Sequence, residues 1–218
     1  EEFNRQTIGK LANFHFVPTK NSKINLLNEG ISTEKIFVTG NTVIDSLFFA
    51  INQIENDPKR KTCIEQELDK VLNFNWRNDK FVLITGHRRE NFGQGFIEIC
   101  NALRELSMTY KDIQFVYPVH LNPNVQVPVN SMLKKIPNIH LIDPLNYEPF
   151  IYILKYCHIV LTDSGGIQEE APSLGKPVIV MRDSTERPEA VDAGTVVLSG
   201  ANLKKIVHET SKLIENKI

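Results

Sequence analysis

One run of nine residues carries the strongest chemical signal in the chain: Thr162-Asp163-Ser164-Gly165-Gly166-Ile167-Gln168-Glu169-Glu170. It reads as a strand end, a turn of small residues and a helix start. The first N–H groups of a helix have no partner within it, and that end carries partial positive charge. Two glycines remove the Cβ atoms, so a phosphate can approach the backbone of Gly165 and Gly166. Ser164 adds a hydroxyl donor. Glu170 stands four residues after Gly166, one helical turn on and on the same face. An ionised carboxylate only accepts hydrogen bonds. Its fitting partner is therefore a pair of vicinal hydroxyls, as on a ribose, and not the phosphate. The competing reading is a capped helix with a tight Gly-Gly turn.

His87-Arg88-Arg89 is the second signal. An isolated Arg-Arg pair is usually a solvated loop, but this triplet directly follows an apolar run. A histidine there can donate to a departing phosphate or move a proton near neutral pH. His120 is a third candidate, while His15, His140, His158 and His208 read as scaffold. Arg187, in Glu186-Arg187-Pro188-Glu189, offers a fork suited to phosphate oxygens. Its alternative is a surface pair with Glu186 or Glu189, worth little. Phe150 is either core or the flank of a base.

These residues need a frame. Short β-branched runs predict strands at 14–17, 36–39, 81–85, 113–117, 139–142, 159–162, 177–181 and 195–198. Amphipathic stretches between them predict helices at 20–29, 43–54, 93–108, 125–135, 148–157, 167–174 and 202–216. A shorter helical piece is expected at 63–72, between the polar stretches 56–62 and 73–80. Strand alternating with helix implies βαβ units and a parallel sheet. In such sheets ligands lie beyond the carboxyl ends of the strands. His87, His120, the Ser164 turn and Arg182–Glu189 all follow strands, so they share one rim. The expected boundary lies near Gly40, with 1–40 the end of one domain and 41–218 a complete Rossmann-like one.

Bulk properties exclude some partners. The 218 residues are 41% hydrophobic and 23% charged, with formal net charge −1. That balance argues against nucleic acid or an anionic membrane, both of which call for a basic surface. No apolar run reaches the roughly 18 residues of a membrane span. Cys63, Cys100 and Cys157 are too scattered for a disulfide framework or a zinc site, and read as buried, reduced thiols of a cytoplasmic protein. The opening Glu1-Glu2-Phe3 lacks a methionine and reads as the start of a piece of a longer chain.

Taken together, Gly40-Asn41-Thr42-Val43-Ile44-Asp45, His87-Arg88-Arg89-Glu90-Asn91, Pro118-Val119-His120-Leu121-Asn122-Pro123 and the long run Asp163–Gly194 resemble the bacterial non-hydrolysing UDP-N-acetylglucosamine 2-epimerases. The resemblance covers essentially the whole chain. It implies one half of a two-domain GT-B-type architecture of Rossmann-like domains. It implies interconversion of UDP-GlcNAc and UDP-ManNAc, by loss of UDP to give 2-acetamidoglucal and re-addition with the opposite configuration at C2. It implies no metal or nicotinamide cofactor, no nucleic acid or membrane partner, a homodimer for the full-length protein and a role in making cell-surface polysaccharide.

Carried over by motif, Ser164, Gly165 and Gly166 would bind the diphosphate and Glu170 the ribose. Phe150 would lie by the uracil, and Arg187 would contact the nucleotide-sugar. Leu145 would have at most a backbone role. His87 would be the catalytic histidine. Glu1 matches an acidic residue of the family's Pro-Glu-Glu-x-Asn-Arg motif, and Arg5 its arginine. Arg88 and His120 match positions that bind a second, allosteric UDP-GlcNAc in some members. Two further acidic residues of the family lie upstream of Glu1, so the piece alone is expected to hold UDP without turning over. The weighed alternatives are a hydrolysing epimerase, a GT-B glycosyltransferase and a non-catalytic UDP-binding module.

Overall fold

The computed structural model describes residues 2–217. Two compact units divide the chain, Glu1–Phe49 and Ala50–Ile218. The division falls inside a helix, α3 (Thr42–Asn56), a little beyond the Gly40 turn where the sequence reading put it.

The first unit holds α1 (Glu2–Leu11), β1 (His15–Val17), α2 (Lys20–Asn28) and β2 (Ile36–Val38). Thr19 starts α2 by accepting from the Ser22 N–H. The two strands pair in parallel, with Phe16 opposite Phe37. Val17, Leu26 and Ile36 form a small core. Much apolar surface stays in solvent, including Phe3, Leu11, Phe14, Phe16 and Phe37. An open groove of roughly 870 Å³ runs past Arg5, Ile8, His15 and Leu26. Helix α1 has no buried residue, and its apolar side chains Phe3, Ile8 and Leu11 face solvent.

The second unit contains the remaining elements. They are α4 (Pro58–Val71), β3 (Phe81–Thr85), α5 (Gln94–Thr109), β4 (Gln114–Pro118), α6 (Pro123–Leu133), β5 (Ile139–Ile142), α7 (Tyr147–Tyr156), β6 (Ile159–Thr162), α8 (Ile167–Ser173), β7 (Val178–Val180), α9 (Pro188–Asp192), β8 (Val196–Leu198) and α10 (Leu203–Lys217). Six parallel strands run in the order β5-β4-β3-β6-β7-β8. The chain winds outward from β3 to β5, returns beside β3 as β6, and winds the other way. That is the doubly wound Rossmann-like order, with its switch point between β3 and β6.

Burial explains the sequence pattern. Val82 and Ile84 face one core with Phe115, Tyr117 and the helices α5, α6 and α10. Their neighbours Phe81 and Leu83 point to the other face and are equally buried. Hence β3 reads as an unbroken apolar run and not an alternating one. In α5, Phe96, Ile99, Cys100, Leu103 and Leu106 fall on one stripe and are fully buried. Each such large aliphatic or aromatic side chain contributes about 1.5–3 kcal/mol through burial.

The helical piece expected at 63–72 starts five residues earlier: Asp57 accepts from the N–H groups of Lys59 and Arg60, and Pro58 takes the first turn of α4. The stretch at 73–80 buries Trp76, whose indole donates to Asp69 at 2.8 Å while Arg77 stacks over its ring. Cys63 is exposed on α4; only Cys100 and Cys157 are buried, and burial pushes each of those thiols up to about 12.

Candidate functional site

The switch point brings two loops together. Thr85 and Thr162 are paired neighbours at the ends of β3 and β6, with hydroxyls 2.6 Å apart. The Ser164 N–H donates to the Thr162 hydroxyl at 2.9 Å, which starts the turn. Gly165 and Gly166 follow, and α8 begins at Ile167. A Cβ at Gly165 would meet Arg88 Nη2 at 3.4 Å, so the guanidinium lies against the turn. Gly166 is exposed, and a Cβ there would meet nothing within 4 Å. Among the described residues the Ser164 hydroxyl has no hydrogen-bond partner.

Asp163 lies beneath this turn and is fully buried. Both of its carboxylate oxygens accept from the His87 N–H at 3.0 Å. Oδ2 also accepts from the Arg88 N–H at 2.9 Å and from Asn91 Nδ2 at 3.2 Å. The His87 ring is part-exposed, with Nδ1 3.6 Å from Asp163 Oδ1. It stacks on the His120 ring, centroids 5.4 Å apart and planes inclined by 18°. Burial pushes the His87 imidazole below its ordinary value; Asp163 opposes this, while His120 and Arg88 add to it.

Glu170 is buried one turn into α8, and Tyr147 Oη donates to its Oε1 at 3.3 Å. Burial raises the Glu170 carboxyl above the usual range, against the pull of that hydrogen bond. Phe150 is half-buried on α7 and Leu145 half-buried in the loop before it.

Arg187 pairs with a carboxylate that the sequence reading did not consider. Its Nε donates to Glu169 of α8, and its Nη1 to the backbone carbonyl of Glu186. Pro188, read as part of a turn, opens the short helix α9. Arg182 was placed on the rim by the sequence but given no role of its own. It is almost fully buried two residues after β7, where its Nε donates to Glu90 and its two terminal nitrogens to Glu186 at 2.8 and 3.0 Å. These bonds hold Glu186 down to about 2. The signal for Arg182, as for Asp163, is a charged residue just after a strand buried on both faces.

The rim therefore unites His87, Arg88 and His120 with Ser164, Gly165 and Gly166, and joins Arg187 to α8. Arg5 belongs to the first unit, on the surface of α1, held by Glu2 and Glu29. Glu1 lies outside the described residues. Among the described residues no group of three or more His, Cys, Asp or Glu side chains is placed to hold a metal ion, and no helix is long and apolar enough to cross a membrane.

Comparison with known proteins extends the geometry. A Campylobacter jejuni protein named UDP-N-acetylglucosamine 2-epimerase is 55% identical over 217 residues, covering 100% of this chain and 56% of that protein. The crystal structure of UDP-GlcNAc 2-epimerase from Neisseria meningitidis bound to UDP-GlcNAc matches with a TM-score of 0.91 and 48% identity, over 99% of this chain and 57% of that one. The S. aureus MnaA–UDP co-structure matches with a TM-score of 0.86 and 43% identity, over 100% of this chain and 56% of that one. The chain thus spans a little over half the length of these relatives. A sequence model described as UDP-N-acetylglucosamine 2-epimerase matches residues 1–218, and the chain belongs to that family.

Proposed function

We propose that this chain supplies the UDP-binding part of an isomerase that interconverts UDP-GlcNAc and UDP-ManNAc without net hydrolysis. The observation that carries the reading is the rim itself. A Gly-Gly turn open to an anion, a free hydroxyl at Ser164 and a buried acceptor at Glu170 stand in line along β6 and α8, beside His87. The relatives solved with UDP-GlcNAc or UDP support the ligand class.

In this reading the diphosphate lies on Ser164, Gly165 and Gly166, where backbone N–H groups stabilise charge. Glu170 accepts from the ribose hydroxyls, Phe150 flanks the uracil and Arg187 contacts the nucleotide-sugar. Arg187 must then exchange Glu169 for ligand. Removal of the proton from C2 and departure of UDP from C1 as an anion, with help from His87, leave 2-acetamidoglucal; UDP then re-adds at C1 as a proton is delivered to the opposite face of C2. Arg88 lies against the same turn and His120 stacks on His87, so a second nucleotide-sugar held by them would lie beside the first. Glu1 and Arg5 keep the acidic and substrate-binding roles that the family motif gives them. Residues up to about Gly40 are the end of the partner Rossmann-like domain, in keeping with the aromatic surface left open around Phe14, Phe16 and Phe37. The longer protein works as a cytoplasmic homodimer needing no cofactor.

Calorimetric titration of the chain with UDP, beside a Glu170→Ala variant, tests the binding reading. Saturable binding that weakens at least tenfold in the variant is expected; a folded parent that ignores UDP overturns it. For the full-length protein, UDP-ManNAc formed from UDP-GlcNAc without any acceptor is expected. Free ManNAc plus UDP as the only product would instead mark a hydrolase.

A further inference from the structure

Asp163 has no part in the scheme above, yet it is the most deeply buried charge at the rim. Taking a carboxylate fully out of water costs several kcal/mol unless its oxygens are well bonded. Here they accept from the backbone of His87, the backbone of Arg88 and the Asn91 amide. Asn91 also donates to the Met181 carbonyl at 3.1 Å, so the loop after β3 is clamped to the ends of both β6 and β7. Arg88 closes the clamp by donating its Nε to the Asp163 carbonyl at 3.3 Å.

We propose that Asp163 is the positioning residue for His87, fixing the backbone of its loop and turning Nδ1 of the imidazole toward the buried carboxylate. The proposal rests on the reading of His87 as the reacting histidine. At 3.6 Å the Nδ1 contact is electrostatic and not a hydrogen bond. Even so, a negative charge at that distance favours the tautomer carrying its proton on Nδ1. That leaves Nε2 on the far side of the ring as the atom that meets the departing diphosphate. The groups facing the ring are Asp163 from the end of β6, His120 from the end of β4 and Arg88 from its own loop. Of these only Asp163 is an anion. It alone counters burial and the electrostatic effect of His120 and Arg88, all of which disfavour a protonated His87.

The test is nitrogen-15 NMR of the histidines in the whole chain, for the parent, Asp163→Asn and Asn91→Ala. In the parent, neutral His87 is expected to carry its proton on Nδ1. In Asp163→Asn the titration midpoint of His87 is expected to fall. In Asn91→Ala, which keeps the carboxylate, it is expected to stay near the parent's while the His87 and Arg88 amides exchange faster. A folded Asp163→Asn variant whose His87 titrates as in the parent overturns the proposal. If that variant does not fold, an Nε2–H tautomer in the parent overturns it on its own. None of these readings requires ligand, so absence of UDP binding would count against the function proposed above and leave this result standing.

Discussion

Tyr147 Oη reaches across from the start of α7 to Glu170 Oε1 on α8, 3.3 Å away, and is the one side chain bonded to that buried carboxylate among the described residues. Burial raises the Glu170 carboxyl, so the folded state holds its proton more tightly than the unfolded state does. The sign follows: this group costs stability as pH rises above its ordinary value of 4.5 and through the raised folded value. Glu170→Gln is therefore expected to melt higher than the parent at pH 8, with a smaller gain at pH 5. The same variant is expected to lose at least about tenfold in UDP affinity, the worth of a hydrogen bond to a charged group. Thermal melts and calorimetry read the two effects separately. An unchanged affinity would remove Glu170 from the ribose.

The histidines act in the opposite direction. Burial lowers His87, His140 and His158 below the ordinary 6.5. An unfolded chain takes up these protons more readily, so their share of stability is present above about pH 6.5 and is lost as pH falls toward the lowered folded values. Urea midpoints are expected to drop between pH 7.5 and 5.5, most clearly in the Glu170→Gln background, where the opposing carboxyl is gone. A flat profile in that background would contradict the assignment.

Gly86 sits between β3 and His87 with Tyr117 pressed against it. The Tyr117 hydroxyl donates to the Gly86 carbonyl at 3.1 Å, and a Cβ at Gly86 would lie 2.8 Å from that hydroxyl. Tyr117 is buried, so its ring has little room to yield. Gly86→Ala is expected to cost about 1–3 kcal/mol, the usual cost of overpacking. Gly86→Ala with Tyr117→Phe is expected to regain part of that loss by removing the clashing oxygen. Equal stability of the single and double variants would mean that the backbone, and not the hydroxyl, gives way.

Arg182 is the buried centre of a three-part ion pair, with Glu90 on the His87 loop and Glu186 before Arg187. Arg182→Met keeps the aliphatic stem and removes the charge. Loss of its charged hydrogen bonds is expected to cost about 1.5–3 kcal/mol. Freed of Arg182, Glu186 is expected to titrate closer to an ordinary carboxylate than to its present value of about 2. Chemical denaturation and carbon-13 NMR of the glutamate side chains provide the two readings.

The sequence speaks most clearly where burial is complete. Strands β3 and β6 lie where their apolar runs begin and end, because both faces of the sheet are covered there and nearly every position is buried. The sequence reading missed α1, whose apolar residues Phe3, Ile8 and Leu11 face solvent. The Ser164–Glu170 run was legible because each feature follows from local chain geometry. The ties of Asp163 to Asn91 and of Arg182 to Glu90 were not, since those partners lie 72 and 92 residues away and are set by strand order. The Arg187–Glu169 pair was missed for the same reason: only near neighbours in sequence were weighed, and Glu169 lies 18 residues earlier.

The adjacency of β3 and β6 has a thermodynamic consequence. Thr85 and Thr162 become neighbours only after the chain between them has wound out through β5 and come back. A partly folded form lacking this central seam holds His87 and Gly165 apart, however intact either half of the sheet is. A ligand gripping both loops thus recognises only the fully joined sheet. Its binding free energy weighs on the unfolding equilibrium of the whole domain, and not on the opening of a surface flap.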